Sequence, residues 1–251
     1  MDKELNLKTN IALSNCRIKQ LITLMALIGF FLHFTTLVYS SNSVYFKRIL
    51  GENNICSNYV NDIIQRSDGF IWMATSDGVH RYDGYNFVSL KSSPYDPKSL
   101  PNPWVNKLLE DHLNQLWVGT TDGLARLLPD ELHFENFKFS PDNEESVAGK
   151  NINSIFEDSQ NNLWIATNSG LSLYMPETNN FKNYFIDHNQ PTNQINQINV
   201  IVQKNNQQLW IGNSQGLFVF DVPSRTFKAH NIPLNESIEI GIQDIDIDSK
   251  G

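Results

Sequence analysis

The sequence predicts an all-β chain: a partial β-propeller of four-stranded antiparallel blades, four complete and a fifth begun, preceded by an N-terminal hydrophobic helix. Three observations predict it. The stretches "DGFIWMATSDGVHRY", "NQLWVGTTDGLARL", "NNLWIATNSGLSLY" and "NQQLWIGNSQGLFVF" place Trp72, Trp117, Trp164 and Trp210 in register, and Gly78, Gly123, Gly170 and Gly216 follow them six residues later. Asn61, Asn106, Asn153 and Asn199 precede the tryptophans by eleven, and Phe87, Phe134, Phe181 and Phe227 trail each unit. The resulting period of 45 to 47 residues is that of a propeller blade or a solenoid unit. Helix periodicity is absent after Ser43, where every ten-residue stretch contains a turn signal.

Each unit reads as four short strands. In the third, "INSIFED" (152–158) is rich in β-branched and aromatic residues and "SQNN" is a turn cluster. "LWIAT" is a second strand and "NSG" a turn in which Gly170 supplies positive φ. "LSLYM", the turn "PETNN" and "FKNYF" complete the unit. The first unit predicts strands near 59–66, 70–75, 78–83 and 85–90, and the blades span about 44–90, 91–139, 140–186 and 187–234, with a fifth begun at 235–251.

In "INSIFED", "VNKLLED" and "INVIVQK" apolar residues occupy both faces of the strand, as for a sheet covered on both sides. The repeated tryptophans are therefore expected to fill the layer between blades, with a sugar-stacking role as the alternative. Middle blades are flanked on both sides, so Trp117 and Trp164 are expected to matter more than Trp72. The repeated asparagines stand near the start of the innermost strand, where they bond neighbouring blades or face a ligand.

Acidic residues outnumber basic ones 27 to 19, and the chain after residue 40 holds 25 against 15. Such a surface repels phosphate backbones, so nucleic acid is not an expected partner. Lys3, Lys8, Arg17 and Lys19 precede the apolar run "LITLMALIGFFLHFTTLV" (21–38), a positive flank that stays cytoplasmic. Residues 1–40 read as a signal peptide cleaved after Ser40 or as an N-terminal anchor, either of which puts the repeats outside the cytoplasmic membrane. Cys16 and Cys56 fall on opposite sides of that run and build no disulfide framework.

The unit "NSIFEDSQNNLWIATNSGLSLY…FKNY" resembles the two-component regulator propeller repeat of bacterial sensors, as does "YFKRILGENNICSNYVNDIIQRSDGFIWMATSDGVHRYDGYNF" (45–87), whose "RYDGYNF" tail is typical of a first blade. The resemblance covers Val44 to the end. It implies a periplasmic propeller of about seven blades, often two in tandem, followed in such sensors by an immunoglobulin-like domain, a membrane helix and a histidine kinase or diguanylate cyclase. These 251 residues contain none of the later parts, which implies an N-terminal portion of a longer receptor. An arc of four blades would leave its last blade edge apolar and exposed, and the isolated chain poorly soluble. Asn-rich "NQPTNQINQ" (189–197) departs from the family's short Ser-Leu link between blades.

No phosphate-cradling loop, nucleophile elbow or His-x-x-x-His pair occurs, and the six histidines lack metal-ligand spacing. "DIDID" (244–248) imitates a calcium loop, but Ser249 stands where glycine is required, and strand alternation explains the pattern better. "NES" at Asn235 is an incidental glycosylation match. No cofactor or metal is expected. The turns "TSDG", "TTDG", "TNSG" and "GNSQG" carry hydroxyl and amide groups on a rigid scaffold, which makes good turns and also suits polar ligands. Asp77, Arg81, Asp122, Arg126, Asn168 and Asn213 are the candidate ligand contacts.

The expected function is a periplasmic ligand-sensing propeller of a membrane-bound signal-transduction receptor, with no catalysis in this segment. By resemblance its ligand is small, a carbohydrate in some relatives. The inner membrane is reached through the N-terminal segment and a further C-terminal helix, and the full-length form could dimerise. The alternatives are a scaffold for envelope proteins and a propeller enzyme, the latter needing blade-specific acid–base clusters that the sequence lacks.

Overall fold

The computed structural model describes residues 59–190, 193–232 and 241–247, all within the second of two units, Leu50–Gly251. The apolar run, Cys16, Cys56 and Asn235 lie outside the described residues. Among the described residues no helix is long and apolar enough to cross a membrane.

The fold is all-β. The first sheet comprises β1 (Val60–Gln65), β2 (Ile71–Thr75), β3 (Gly78–Tyr82) and β4 (Phe87–Leu90). The second holds β5 (Val105–Glu110), β6 (Leu116–Thr120), β7 (Gly123–Leu127) and β8 (Phe134–Phe137). The third holds β9 (Ile152–Glu157), β10 (Leu163–Thr167), β11 (Gly170–Met175) and β12 (Asn180–Tyr184). The fourth holds β13 (Ile198–Asn205), β14 (Gln208–Asn213), β15 (Gly216–Asp221) and β16 (Thr226–His230). Every sheet is an antiparallel meander in chain order, the pattern of a propeller blade. The one helical piece described is a 3-10 turn, Gln194–Asn196.

The turn between second and third strands is built the same way three times. The hydroxyls of Thr75, Thr120 and Thr167 accept from the backbone N–H two residues on and donate to the carbonyl of Gly78, Gly123 and Gly170. Those glycines have φ of 117°, 127° and 152°. At Gly78 a Cβ would also lie 2.4 Å from the Leu90 carbonyl oxygen, so conformation and space both exclude a side chain.

The innermost strands β1, β5, β9 and β13 touch in succession, and two repeating bonds stitch each seam. Nδ2 of Asn61, Asn106, Asn153 and Asn199 donates to the carbonyl of Val105, Ile152, Ile198 and Ile242 at 2.7, 2.8, 2.7 and 2.9 Å. The repeated asparagine is thus an inter-blade bond. At the other end of the strand, the backbone N–H of Ser67, His112 and Ser159 donates to the side chain of Glu110, Glu157 and Gln203 in the next blade. Close approach at the seams demands small residues: a Cβ on Gly119 would meet Ile152 at 2.7 Å, and one on Gly212 would meet Ile242 at 2.5 Å. Residues 241–247, read from sequence as a strand, carry no regular ladder, yet Ile242 occupies the place of Ile152 and Ile198 against the preceding blade.

The links between blades also repeat. The Ser99 hydroxyl donates to the carbonyls of Ser93 and Asp96, and the Ser146 hydroxyl to that of Ser140. In the third link Asn196 does this work, donating to the carbonyls of Asp187 and Gln190 while accepting from the Asp187 N–H. The Asn-rich sequence is therefore a different solution to the same closure.

Trp72, Trp117 and Trp164 are 0–1% exposed and belong to the three apolar clusters between blades. Trp72 is as enclosed as the other two: it shares a cluster with Leu108, Leu116 and Phe134 of the second blade, and Arg66 and Arg81 of its own blade lie over its ring. Trp210 alone is half-buried. β16 reads Thr-Phe-Lys-Ala-His and is exposed apart from half-buried Phe227, while on the innermost strand β1 Val60 is 45% and Ile63 58% exposed, against at most 3% for their counterparts Val105, Leu108, Ile152, Ile155, Ile198 and Ile201.

Candidate functional site

The six candidate contacts fall into two groups. Asp77, Asp122 and Asn168 stand on the turns between second and third strands. Lys91 reaches Asp77 at 2.6 Å and Lys138 reaches Asp122 at 3.2 Å, so each aspartate is charge-compensated by the lysine just after its blade's fourth strand. Asn168 Oδ1 accepts from the Asn151 N–H at 3.1 Å, tying its turn to the end of the link that enters the same blade. Below the first turn His80 is buried, with Nε2 3.1 Å from the Thr75 hydroxyl and Nδ1 2.8 Å from that of Ser89. Burial lowers its pKa; Asp77 pulls the other way and Lys91 adds to the lowering.

Asn213 belongs with the turns in sequence but not in role. It takes the threonine position, is 0% exposed, accepts from the Gln215 N–H and donates to the Ile195 carbonyl at 2.7 Å. Its amide is spent on the fold.

Arg81 and Arg126 lie on third strands, opposite Trp72 and Trp117 in the ladder, and point away from the turn aspartates. Arg81 pairs with Glu131 of the next blade and covers Phe70 and Trp72. Arg126 lies 5.3 Å over Trp117, pairs with Glu135, and donates to the Tyr174 hydroxyl at 2.9 Å across the seam. Burial raises the Tyr174 pKa. Burial also opposes the charge on Glu135, but hydrogen bonds from Asn179 and Arg126 and the guanidinium charge prevail and lower its pKa. Beside this pair a cleft of about 670 Å³ opens between the second and third blades, lined by His112, Glu157, Leu173, Tyr174 and Glu177. His112 Nδ1 sits 2.6 Å from Glu157 there.

Sequence reasoning missed a feature of the turn face. Thirteen residues before the repeated tryptophans stand Tyr59, Trp104, Asn151 and Gln197, at the entrance to the four innermost strands. The carbonyls of Tyr59, Trp104 and Asn151 accept from Ser76, Thr121 and Asn168 on the adjoining turns. Tyr59 and Trp104 stack across the first seam with ring centroids 6.4 Å apart. Aligning the repeats on their tryptophans would have exposed this position, because two aromatics stand where the other blades carry amides.

Among the described residues no group of histidine, cysteine, aspartate or glutamate is placed to hold a metal ion. Nothing among curated proteins matches the sequence. Solved structures do. The extracellular domain assigned to the hybrid two component system BT3049 of B. thetaiotaomicron is 23% identical, with a TM-score of 0.66 over 75% of this chain and 27% of that one. The corresponding domain of BT4673 from the same organism is 18% identical, with a TM-score of 0.50 over 82% of this chain and 38% of that one. The chain therefore spans between a quarter and two fifths of the length of these structures, and at these identities the likeness is one of fold. The sequence itself matches the two component regulator propeller model at residues 54–77, 99–122 and 146–169, segments that run from the end of each link through the repeated tryptophan. Those matches make its first three blades similar to the two component regulator propeller repeat.

Proposed function

We propose that this chain is the ligand-sensing propeller of a membrane-bound signal-transduction receptor, exported by its N-terminal segment and working on the periplasmic side. The observation that carries the reading is the three-fold family match on consecutive blades, joined to the fold shared with extracellular domains of hybrid two component systems. The seams supply a physical means of response. Each joins separately hydrogen-bonded sheets by an apolar cluster and a few directional bonds, so a ligand that favours one blade spacing shifts the whole stack.

The test is made in the cell of origin. An alkaline phosphatase fusion after Ile232 should be active, reporting export. Deleting residues 91–186 in frame should abolish the transcriptional response that a panel of extracellular nutrients induces through the intact gene. An inactive fusion, or an unchanged response after deletion, would refute the reading.

A further inference from the structure

On the face opposite the turn aspartates, the first three seams present the same pair of acceptors to the preceding blade. One is the carboxylate or amide seven residues before the repeated tryptophan, Glu110, Glu157 or Gln203. The other is a backbone carbonyl in the turn that follows it. In the first seam the donor is a guanidinium. Arg66 Nε donates to Glu110 Oε1 at 3.2 Å and its Nη2 to the Asn114 carbonyl at 3.0 Å, with Asp68 3.2 Å from Nη1. In the third seam neutral groups do the same work. The Gln203 amide meets the Ser159 hydroxyl at 2.6 Å, and Gln160 Nε2 donates to the Asn206 carbonyl at 2.9 Å.

The second seam keeps both acceptors and lacks that donor. Glu157 takes the place of Glu110 and Asn161 that of Asn114, the two asparagines turning at φ of 63° and 59°. Asp111 stands at the position of Arg66 and is committed to its own turn and to the Trp117 indole. Leu113, at the position of Gln160, is 59% exposed and has nothing to donate. Among the described residues the Glu157 carboxylate accepts only from the N–H and Nδ1 of His112, and no side chain donates to the Asn161 carbonyl. The guanidinium of Arg126 is spent on Gln115, Glu135, Tyr174 and Asn179. The cleft of about 670 Å³ is lined by Leu113, Glu157 and Asn161, together with exposed Glu177. The Glu157 side chain is only 16% exposed, so a cation beside it is held more firmly than in open water.

We infer that this cleft seats a guanidinium group brought by a ligand, which repeats across the second seam the bonds that Arg66 makes across the first. One N–H donates to Glu157 and another to the Asn161 carbonyl, and the alkyl stem lies along Leu113. A planar fork of donors suits this pair of acceptors better than the point charge of an ammonium. A free amino acid and an arginine on a peptide share this chemistry. The inference goes beyond the sensing reading and does not depend on it.

Calorimetry on the full chain tests it with butylguanidinium, butylammonium, neutral butylurea, free L-arginine and the blocked peptide acetyl-Ala-Arg-Ala-amide. Butylguanidinium should bind saturably, about tenfold or more tighter than butylurea and tighter than butylammonium. Glu157→Gln copies Gln203 of the third seam, whose amide oxygen still accepts from the Ser159 N–H. The fold should therefore hold while binding falls about tenfold or more. Leu113→Gln copies Gln160, supplies a donor to the Asn161 carbonyl from within the chain, and should weaken binding with an unchanged melting curve. Binding of arginine without the peptide marks a free amino acid, and binding of the peptide marks a protein segment; either sustains the site. Butylurea or butylammonium binding as tightly as butylguanidinium, binding that survives both substitutions, or no binding by any probe would overturn it. The sensing reading stands or falls separately, in the fusion and deletion experiments.

Discussion

The second and third blades and the two that flank them treat the polar edge of the same tryptophan differently. Six residues before Trp117 and Trp164 stand Asp111 and Asp158, whose carboxylates accept from the indole N–H at 2.8 and 2.9 Å. Six residues before Trp72 and Trp210 stand Arg66 and Lys204, which lie over the rings at 5.5 and 4.5 Å. In the first case the ring's polar edge is satisfied. In the second its π face meets a cation and the edge is left over: the Trp72 indole nitrogen is buried without a hydrogen-bond partner. The aspartate also closes its own turn, accepting from the N–H groups of Leu113 and Gln115, or of Gln160 and Asn162. A repeat can thus keep its most visible residue while exchanging the electrostatics that hold it.

The largest effect expected is from the ring itself. Trp117→Ala and Trp164→Ala should each cost about 3–5 kcal/mol, and Trp72→Ala a similar amount since it is equally enclosed. Trp210→Ala should cost clearly less. Denaturant melts of the four variants decide it, and equal losses at all four sites would break the distinction between Trp210 and the rest.

The aspartate comes next. Asp158→Ala strands a buried indole N–H and turn N–H groups, for an expected loss of about 2–3 kcal/mol. Lys204→Ala, which leaves no buried donor unpaired, should cost less than about 1 kcal/mol. Comparable losses would mean that the two arrangements are energetically equivalent.

Blade differences on the third and fourth strands predict a gain. His80 opposite Ser89 and Ser172 opposite Asn183 are hydrogen-bonded cross-strand pairs. In the second blade Ala125 faces Asn136, whose Oδ1 is buried without a partner. Ala125→Ser should stabilise the protein by about 1 kcal/mol by supplying the missing hydroxyl donor, and a destabilised variant would show that the second blade has no room for it.

The smallest effect is a slope. Burial lowers the pKa of His80, so below the ordinary histidine value the unfolded chain takes up a proton that the folded one refuses. Stability carried by neutral His80 is complete above about pH 6.5, declines as pH falls from there towards the lowered folded value, and is flat beyond it. Wild type should lose more stability than His80→Gln between about pH 7 and 5.5, and parallel profiles would remove His80 from the account.

The strands, their order and the positive-φ glycines were legible because a blade is written in local signals: alternation, β-branching and a turn every few residues. The inter-blade role of Asn61, Asn106, Asn153 and Asn199 was legible as one of two readings, since strict repetition favours packing. What escaped depends on which way side chains turn once the strands have paired. Nothing local to Asp158 announces that it closes its own turn and also faces Trp164, and Asn213 looks like a turn residue until its neighbour Ile195 is known. Arg81 and Arg126 follow Asp77 and Asp122 by four residues, but β3 and β7 carry them away from the turn, opposite Trp72 and Trp117. Trp104 was hidden by the four tryptophans that do repeat.

The central claim is that Trp164 packs and Trp104 does not, and paired thermal melts of Trp164→Ala and Trp104→Ala in the full chain test it most directly. The account predicts a midpoint lowered by roughly 10 °C for Trp164→Ala and one within about 1 °C of wild type for Trp104→Ala. A Trp164→Ala protein that melts like wild type, or a Trp104→Ala protein that melts far below it, would contradict the division of labour between the repeated tryptophans and the fifth.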